Sequence, residues 1–181
     1  MLTLIETQRL RIRPFTLEEA PFIAATRSDP VVARFLPWEP PFPLEEAKLR
    51  IETAGMRTAL EPNQWVLRAV ERLEGGTLVG EVGVRGHHED PQQAIIGYVF
   101  AHAAHGHGYA TEVVRAVVRE LFLTHRLHRV FAYTQDQNRA SQRVLEKIGF
   151  RREAHMIEAF FARGQWQSEY MYAMLAREWG G

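Results

Sequence analysis

The chain has 181 residues, 46% hydrophobic and 24% charged, a balance that excludes a disordered or membrane-spanning protein and suits one globular domain over residues 1–181. Lys plus Arg and Asp plus Glu are equal at 22 each, so no global field draws nucleic acid or an acidic membrane surface. With no cysteine there is no disulfide, thiolate metal site or cysteine nucleophile, and any acyl transfer must avoid a cysteinyl intermediate.

The amino terminus, "MLTLIETQRLRIRPF", lacks the pattern of an export signal, and no apolar run approaches the ~18 residues of a membrane helix, so the cytoplasm is the expected location. Leu10, Ile12 and Phe15 alternate with Arg9, Arg11 and Arg13, which predicts a strand with one wet face. Thr16 with Glu19 three residues on forms a capping box that opens a short helix. "DPVVARFLPWEPPFP" is dense in proline and aromatic residues and predicts irregular structure. "LEEAKLRIETAGMRTAL" predicts a second helix with Ala47, Leu49, Met56 and Leu60 on its apolar side.

"QWVLRAVE" and "TLVGEVGVRG" flank Gly75-Gly76 and predict a hairpin. "AIIGYVFA" is a further strand. From about Gly108 a helix follows, with Val113, Val114, Val117, Val118, Leu121 and Phe122 on one face. "RVFAYT" predicts a strand, "NRASQRVLEKIGF" a helix closed by Gly149, and the remainder two strands about Arg163-Gly164. The order β, α, α, β, β, β, α, β, α, β, β implies a mixed α/β sheet with helices on both faces.

The junction "YVFAHAAHGHGYATEVVRAVVRELF" raises the chemical question. Free N–H groups at a helix start, with the positive end of the helix dipole, suit an anion, and glycines at 106 and 108 admit a ligand close to the backbone. A turn needing glycine only for its backbone angles is the plain alternative. A P-loop is disfavoured because Tyr109 and Ala110, not Lys and Ser or Thr, follow Gly108. A dinucleotide fingerprint needs the opening βαβ unit and an acidic residue ~20 positions on; "GHGYAT" lies mid-chain, with Asp136 the nearest such acid.

The third candidate is the pyrophosphate loop of the acyl-CoA N-acyltransferases. "HGHGYATEVVRAVVRELF" followed by "VFAYTQDQNRASQRVLEKIGFRREA" resembles the GNAT superfamily, specifically its RimJ/RimL-like branch of ribosomal-protein N-terminal acetyltransferases. The likeness extends through "TQRLRIRPFTLEEA", "LPWEPP", "LVGEVGV", "IIGYVF" and "RGQWQSEYMYAMLAREW". Gly108 and Ala110 match the family loop, while His105 departs from it at the first position. The resemblance implies a GNAT-like fold: a mixed, mostly antiparallel sheet of about seven strands with a splay between the fourth and fifth. It implies acetyl-CoA as acyl donor, no metal and an amine acceptor; members of this branch often form homodimers through their sheets, and the oligomeric state here stays open.

The resemblance further implies that the pantetheine arm pairs with the backbone of Tyr98, Val99, Phe100 and Ala101, and the pyrophosphate with the amides of His105, Gly106, His107, Gly108, Tyr109, Ala110 and Thr111. Asn138 is read as the cap of the next helix and, by resemblance, as a cofactor contact. Ser141 is either a small polar residue in a first turn or a hydroxyl that protonates the departing thiolate. Leu145 stands where some family members carry a Tyr for that purpose.

Amine attack needs a group to collect the amine proton. Glu81 and Glu158 are the candidates, each also readable as a plain strand carboxylate. By resemblance Glu158 ranks first, although Phe160 occupies the closest counterpart position; two residues apart, both fall on one strand face. Trp38, with Glu39, lies in the segment that overlies the acceptor in the superfamily, or else anchors packing. His102, His105 and His107 crowd together, but a glycine-rich turn does not fix ligand geometry and no Cys or paired carboxylate assists, so a metal is disfavoured. The acceptor is expected to be a protein N-terminal α-amine. A polyamine or aminoglycoside on the same fold is the enzyme alternative, and a non-catalytic acyl-CoA-binding module the alternative of another class.

Overall fold

The alternation at the amino terminus becomes two strands, not one, in the computed structural model, which describes residues 4–180. Strands β1 (Ile5–Glu6) and β2 (Leu10–Arg13) fold back at Thr7, whose amide donates to the Leu10 carbonyl at 2.9 Å while its hydroxyl accepts from the Leu10 amide at 3.0 Å. The Glu19 carboxylate accepts from the Thr16 amide at 2.9 Å, which secures the turn that leads into α1 (Ala20–Ser28). The proline-rich stretch holds one short helix, α2 (Pro30–Ala33), capped by Asp29 through the Val31 amide at 2.8 Å.

Helix α3 (Leu44–Arg50) continues into a π-helical turn, Ile51–Gly55. Its buried stripe is Ala47, Ile51 and Ala54, whereas Leu49 and Met56 are 57% and 52% exposed, so of the apolar side expected from the sequence Ala47 faces inward and Leu49 and Met56 do not. The reason is helical phase: at about 100° per residue, Leu49 and Met56 fall on the side opposite the stripe that Ala47, Ile51 and Ala54 define. The helix ends near Gly55 rather than Leu60.

Then follow β3 (Trp65–Arg72), β4 (Leu78–Gly86), β5 (Gln93–Phe100), α4 (Tyr109–Leu123), β6 (Arg129–Gln135), α5 (Arg139–Ile148), β7 (Arg151–Ala162) and β8 (Gln165–Leu175). Gly75 and Gly76 carry φ of 77° and 61°, the left-handed pair that a tight hairpin turn requires. One eight-stranded sheet results, ordered β1-β2-β3-β4-β5-β6-β8-β7. Among the described residues β5 and β6 are the one neighbouring pair of these strands that runs parallel. The count exceeds the expected seven because the first run divides in two, so the expected splay falls between β5 and β6.

That splay is the feature that positions the site. Strands β5 and β6 pair only over Gln93–Arg129, Ala94–Val130 and Ile95–Phe131. Beyond them β5 stays on β4 as far as Phe100, and β6 stays on β8 as far as Gln135. Helices α4 and α5 cover one face, where the six valine, leucine and phenylalanine side chains of α4 pack on Val82, Ile96 and Val130, each burial contributing about 1.5–3 kcal/mol. Helices α1 and α3 cover the other, with Ile23, Ala47 and Ile51 against Leu67 and Ala69. Among the described residues no helix is long and apolar enough to cross a membrane.

Candidate active site

The strand-to-helix junction is built by two left-handed glycines, Gly106 (φ 80°) and Gly108 (φ 78°), the latter at the cap position of α4. The Glu112 amide donates to the Gly108 carbonyl at 3.1 Å, so the amides of Tyr109, Ala110 and Thr111 come before the first intrahelical donor and have no acceptor within the helix. A clamp from β2's leading end fixes this loop. Arg9 Nη1 donates to the His107 carbonyl at 3.0 Å and Arg9 Nε to Glu112 at 2.7 Å, while Thr7 Oγ1 donates to Glu112 at 2.6 Å. Burial pushes the Glu112 carboxyl up, but the bonds from Thr7 and Arg9 outweigh it and hold the group below the usual carboxylate range.

The three histidines stay close, with the His102 and His105 rings edge to face at 5.5 Å and His107 Nδ1 2.9 Å from the His105 carbonyl, and each has a further contact. His105 Nε2 lies 3.1 Å from the Phe100 carbonyl, His102 Nδ1 is 3.8 Å from Asp29, and His107 stacks on Tyr109.

A cavity of about 950 Å³ runs through the splay. On the α4–α5 face it is lined by the glycine loop, Asn138, Ser141, Arg143 and Lys147. The Asn138 side chain accepts from the Ser141 amide at 3.1 Å, which caps α5. Tyr98, from the free part of β5, brings its hydroxyl to 2.9 Å from Ser141 Oγ. Burial pushes the Tyr98 phenol well up, and the Ser141 contact only partly opposes it, so the phenol keeps its proton at neutral pH. Leu145 is fully buried in the core. Sequence reasoning used Tyr98 only for its backbone. Its alternation with the buried Ile96 and Phe100 was the available signal that its phenol faces inward.

On the other face the cavity reaches Glu81, Arg27, Arg50 and Trp38. Glu81 and Arg27 are 5% and 2% exposed and form a buried ion pair. Arg50 Nη2 stands 3.7 Å from the same Glu81 oxygen, and the Arg27 guanidinium lies over the Trp38 ring at 4.3 Å. Glu81 Oε2 has no partner among the described residues. Glu169, on β8, also lines the cavity, and burial raises its carboxyl above the ordinary range. Neither arginine was singled out by sequence reasoning, nor was Glu169.

Glu158 is exposed and absent from the cavity wall. The register passes from Met156–Glu169 to Phe160–Gln167, so three residues on β7 oppose one on β8. Within this bulge Glu158 takes φ 49° and its amide donates to Ser168 Oγ at 3.0 Å. The bulge cancels the parity that would have put Glu158 beside Phe160, which does line the cavity. Glu39 is exposed and outside the wall. Ala101, His107 and Thr111 also lie outside the wall, and the Ala101 amide is taken by the Val79 carbonyl at 2.9 Å.

The opened parallel pair, with a glycine loop and helix start on one face, lies where the GNAT resemblance leads one to expect the acyl donor. Residues 9–151 match the family model of the acetyltransferase (GNAT) domain. The chain is 32% identical to the uncharacterized N-acetyltransferase YnaD of Bacillus subtilis, over 97% of this chain and 98% of that protein. The crystal structure of a GNAT-family acetyltransferase from Bacillus anthracis superposes with a TM-score of 0.86 at 28% identity, covering 97% of this chain and 100% of that one. A spermidine N-acetyltransferase from Vibrio cholerae, in complex with CoA and spermine, shares the fold with a TM-score of 0.82 at 19% identity, covering 97% and 100%. The chain belongs to the GNAT acetyltransferase family, and it is an acyl-CoA-dependent N-acetyltransferase.

Proposed function

We propose that the chain transfers acetyl from acetyl-CoA to a primary amine by direct attack in a ternary complex, with a protein N-terminal α-amine as acceptor. The continuity of the cavity carries this reading: donor loop and carboxylate pocket lie on opposite faces of the sheet and meet in the splay. The residues fit the donor. The amides at the start of α4 suit the pyrophosphate, and Arg143 and Lys147 add positive charge. The unpaired edge of β5 beyond Ile95 suits the amide groups of the pantetheine arm.

When bound, acetyl-CoA supplies an activated thioester carbonyl. The chain's part is to hold the amine at the splay, where its nitrogen bonds to the acetyl carbon as the carbon–sulfur bond breaks. Tyr98 and Ser141 form a hydroxyl pair that hands a proton to the leaving sulfur. The amine's proton passes to a cavity carboxylate, Glu81 through its unpartnered oxygen or Glu169, and balances the one given up. Glu158 lies outside this path.

The α-amine acceptor rests on the sequence blocks shared with ribosomal-protein N-terminal acetyltransferases; the spermidine enzyme of like fold supports a small amine as the second reading. The test is release of CoA thiol from acetyl-CoA with an alanine-terminated peptide and with spermidine, beside calorimetric titration with acetyl-CoA. Binding with thiol release establishes transfer and ranks the two acceptors. Binding without release for any amine leaves a donor-binding module, and absence of binding removes the whole reading.

A further inference from the structure

The acceptor end of the cavity has an unusual stock of hydrogen-bond donors. Arg27 Nε and Nη1, Arg50 Nε and Trp38 Nε1 are buried without a partner among the described residues. All three residues line the cavity, and Arg27 is only 2% exposed. Two guanidiniums share one carboxylate, since Arg27 and Arg50 both address the same oxygen of Glu81. Buried donors and an excess positive charge are costly unless a ligand answers them.

We propose that Arg27, Arg50 and Trp38 form a receptor for a carboxylate on the acceptor, so that the substrate class is a primary amine that also bears a carboxylate. This rests on the acetyl-transfer reading above and narrows its acceptor.

The remaining chemistry of the pocket agrees. Glu81 Oε2 is free to take an N–H of the incoming amine, and Glu169 approaches from β8 across the splay, where it pairs with Gln135. Negative charge thus borders the reacting nitrogen, and positive charge lies behind it toward α1 and α3. Val31, Val32, Phe35 and Trp65 supply apolar wall between them, which fits a hydrocarbon body. Burial lowers the Arg50 pKa, with Glu81 opposing and Arg27 adding to the fall, and a bound carboxylate would reverse that penalty. A polyamine would set its second cation against Arg27 and Arg50, so the receptor selects against it.

Two sources present this chemistry: a free amino acid through its α-carboxylate, or a peptide amino terminus through an adjacent acidic side chain. The experiment measures thiol release from acetyl-CoA at neutral pH with L-phenylalanine and L-phenylalaninamide, with Ala-Glu and Ala-Gln peptides of otherwise equal sequence, and with spermidine. The amide has the less basic amine, so a bias toward the acid runs against intrinsic reactivity. The proposal expects kcat/KM to favour the acid over its uncharged twin by about 10-fold or more in at least one pair; the pair that shows it identifies the source. In Arg50→Gln that ratio falls toward one while the KM for acetyl-CoA holds. Trp38→Phe, which keeps the ring over Arg27 and removes only the indole N–H, lowers the ratio in part.

Equal rates within both pairs, or spermidine as the best substrate, overturn the proposal. A binding arm separates this from failure of the transfer reading. Calorimetry on the CoA-saturated protein compares N-acetyl-L-phenylalanine and N-acetyl-Ala-Glu peptide with their uncharged twins. Tighter binding of an acid, even without turnover of any amine, sustains the receptor and removes only the transfer reading. Equal binding in both pairs removes the receptor.

Discussion

The Tyr98 hydroxyl lies 2.9 Å from Ser141 Oγ and ties the free part of β5 to the first turn of α5 across the splay. Because burial keeps the phenol protonated, the pair presents a transferable proton beside the cavity. CoA thiolate is a fair leaving group, so Tyr98→Phe should lower kcat by only about 10-fold, below the usual general-acid contribution. The KM for acetyl-CoA should change little. Ser141→Ala should cost less, since Tyr98 remains, and the double variant should fall short of the product of the two effects. Steady-state kinetics of the three variants checks this; an additive double variant separates the two hydroxyls.

Gly108 holds φ 78° at the head of α4. A valine there must adopt a left-handed conformation that costs at least about 1–2 kcal/mol or rearrange the loop. Gly108→Val should weaken acetyl-CoA binding by about 10-fold or more, one RT ln 10 unit of about 1.4 kcal/mol, as read by calorimetry. Gly76→Ala, at φ 61° in the β3–β4 turn, is the control: it introduces left-handed strain away from the loop and should leave the dissociation constant unchanged. Equal loss in both would make the effect one of general stability.

Arg9 reaches the same loop from outside, through the His107 carbonyl and Glu112. Its side chain is 47% exposed, so loss of the ion pair should cost no more than about 1 kcal/mol of stability. Arg9→Ala should nevertheless raise the dissociation constant for acetyl-CoA, because the loop's amides lose their registration, while the acceptor KM stays near its original value. An unchanged dissociation constant would show that the glycines hold the loop without the clamp.

Glu169 gives a pH signature. Burial raises its carboxyl in the folded protein, so the native state binds this proton more tightly than the unfolded chain does. Its contribution is therefore favourable below the ordinary value of the unfolded carboxyl, about 4.3, and is lost as pH rises through the folded value. Glu169→Gln should raise the Tm at neutral pH, with the gain vanishing below about pH 4.3, where the unfolded carboxyl is itself protonated. A Tm difference that does not vary with pH would assign the effect to packing.

Much of the scaffold could be read directly from the sequence. The six apolar positions of α4, the glycine stop after α5 and the two hairpin turns lie where period and turn chemistry put them, because each rests on local backbone preference. What failed was decided by contacts between distant segments. Leu49 and Met56 point outward because the sheet takes the side of the helix that carries Ala47, Ile51 and Ala54, a choice of phase that the segment alone does not make. Glu158 leaves its predicted face because a bulge of β7 against β8 cannot be seen along one strand. Arg27 carried a readable signal, one helical turn from the buried Ile23 on α1, a placement that brings a cation to an apolar face. Its partner Glu81 lies 54 positions away, and no spacing within the helix announces it. Glu169 was equally silent, because a carboxylate in a strand shows its burial only once the neighbouring gap is formed.

The opening between β5 and β6 has a kinetic corollary. In the proposed ternary complex donor and acceptor approach from opposite faces of the sheet, so neither lies across the other's route. Each can arrive or depart while the other stays, which argues for random order of addition, mutual independence of the two Michaelis constants, and a dead-end complex of CoA with unreacted amine at high acceptor concentration.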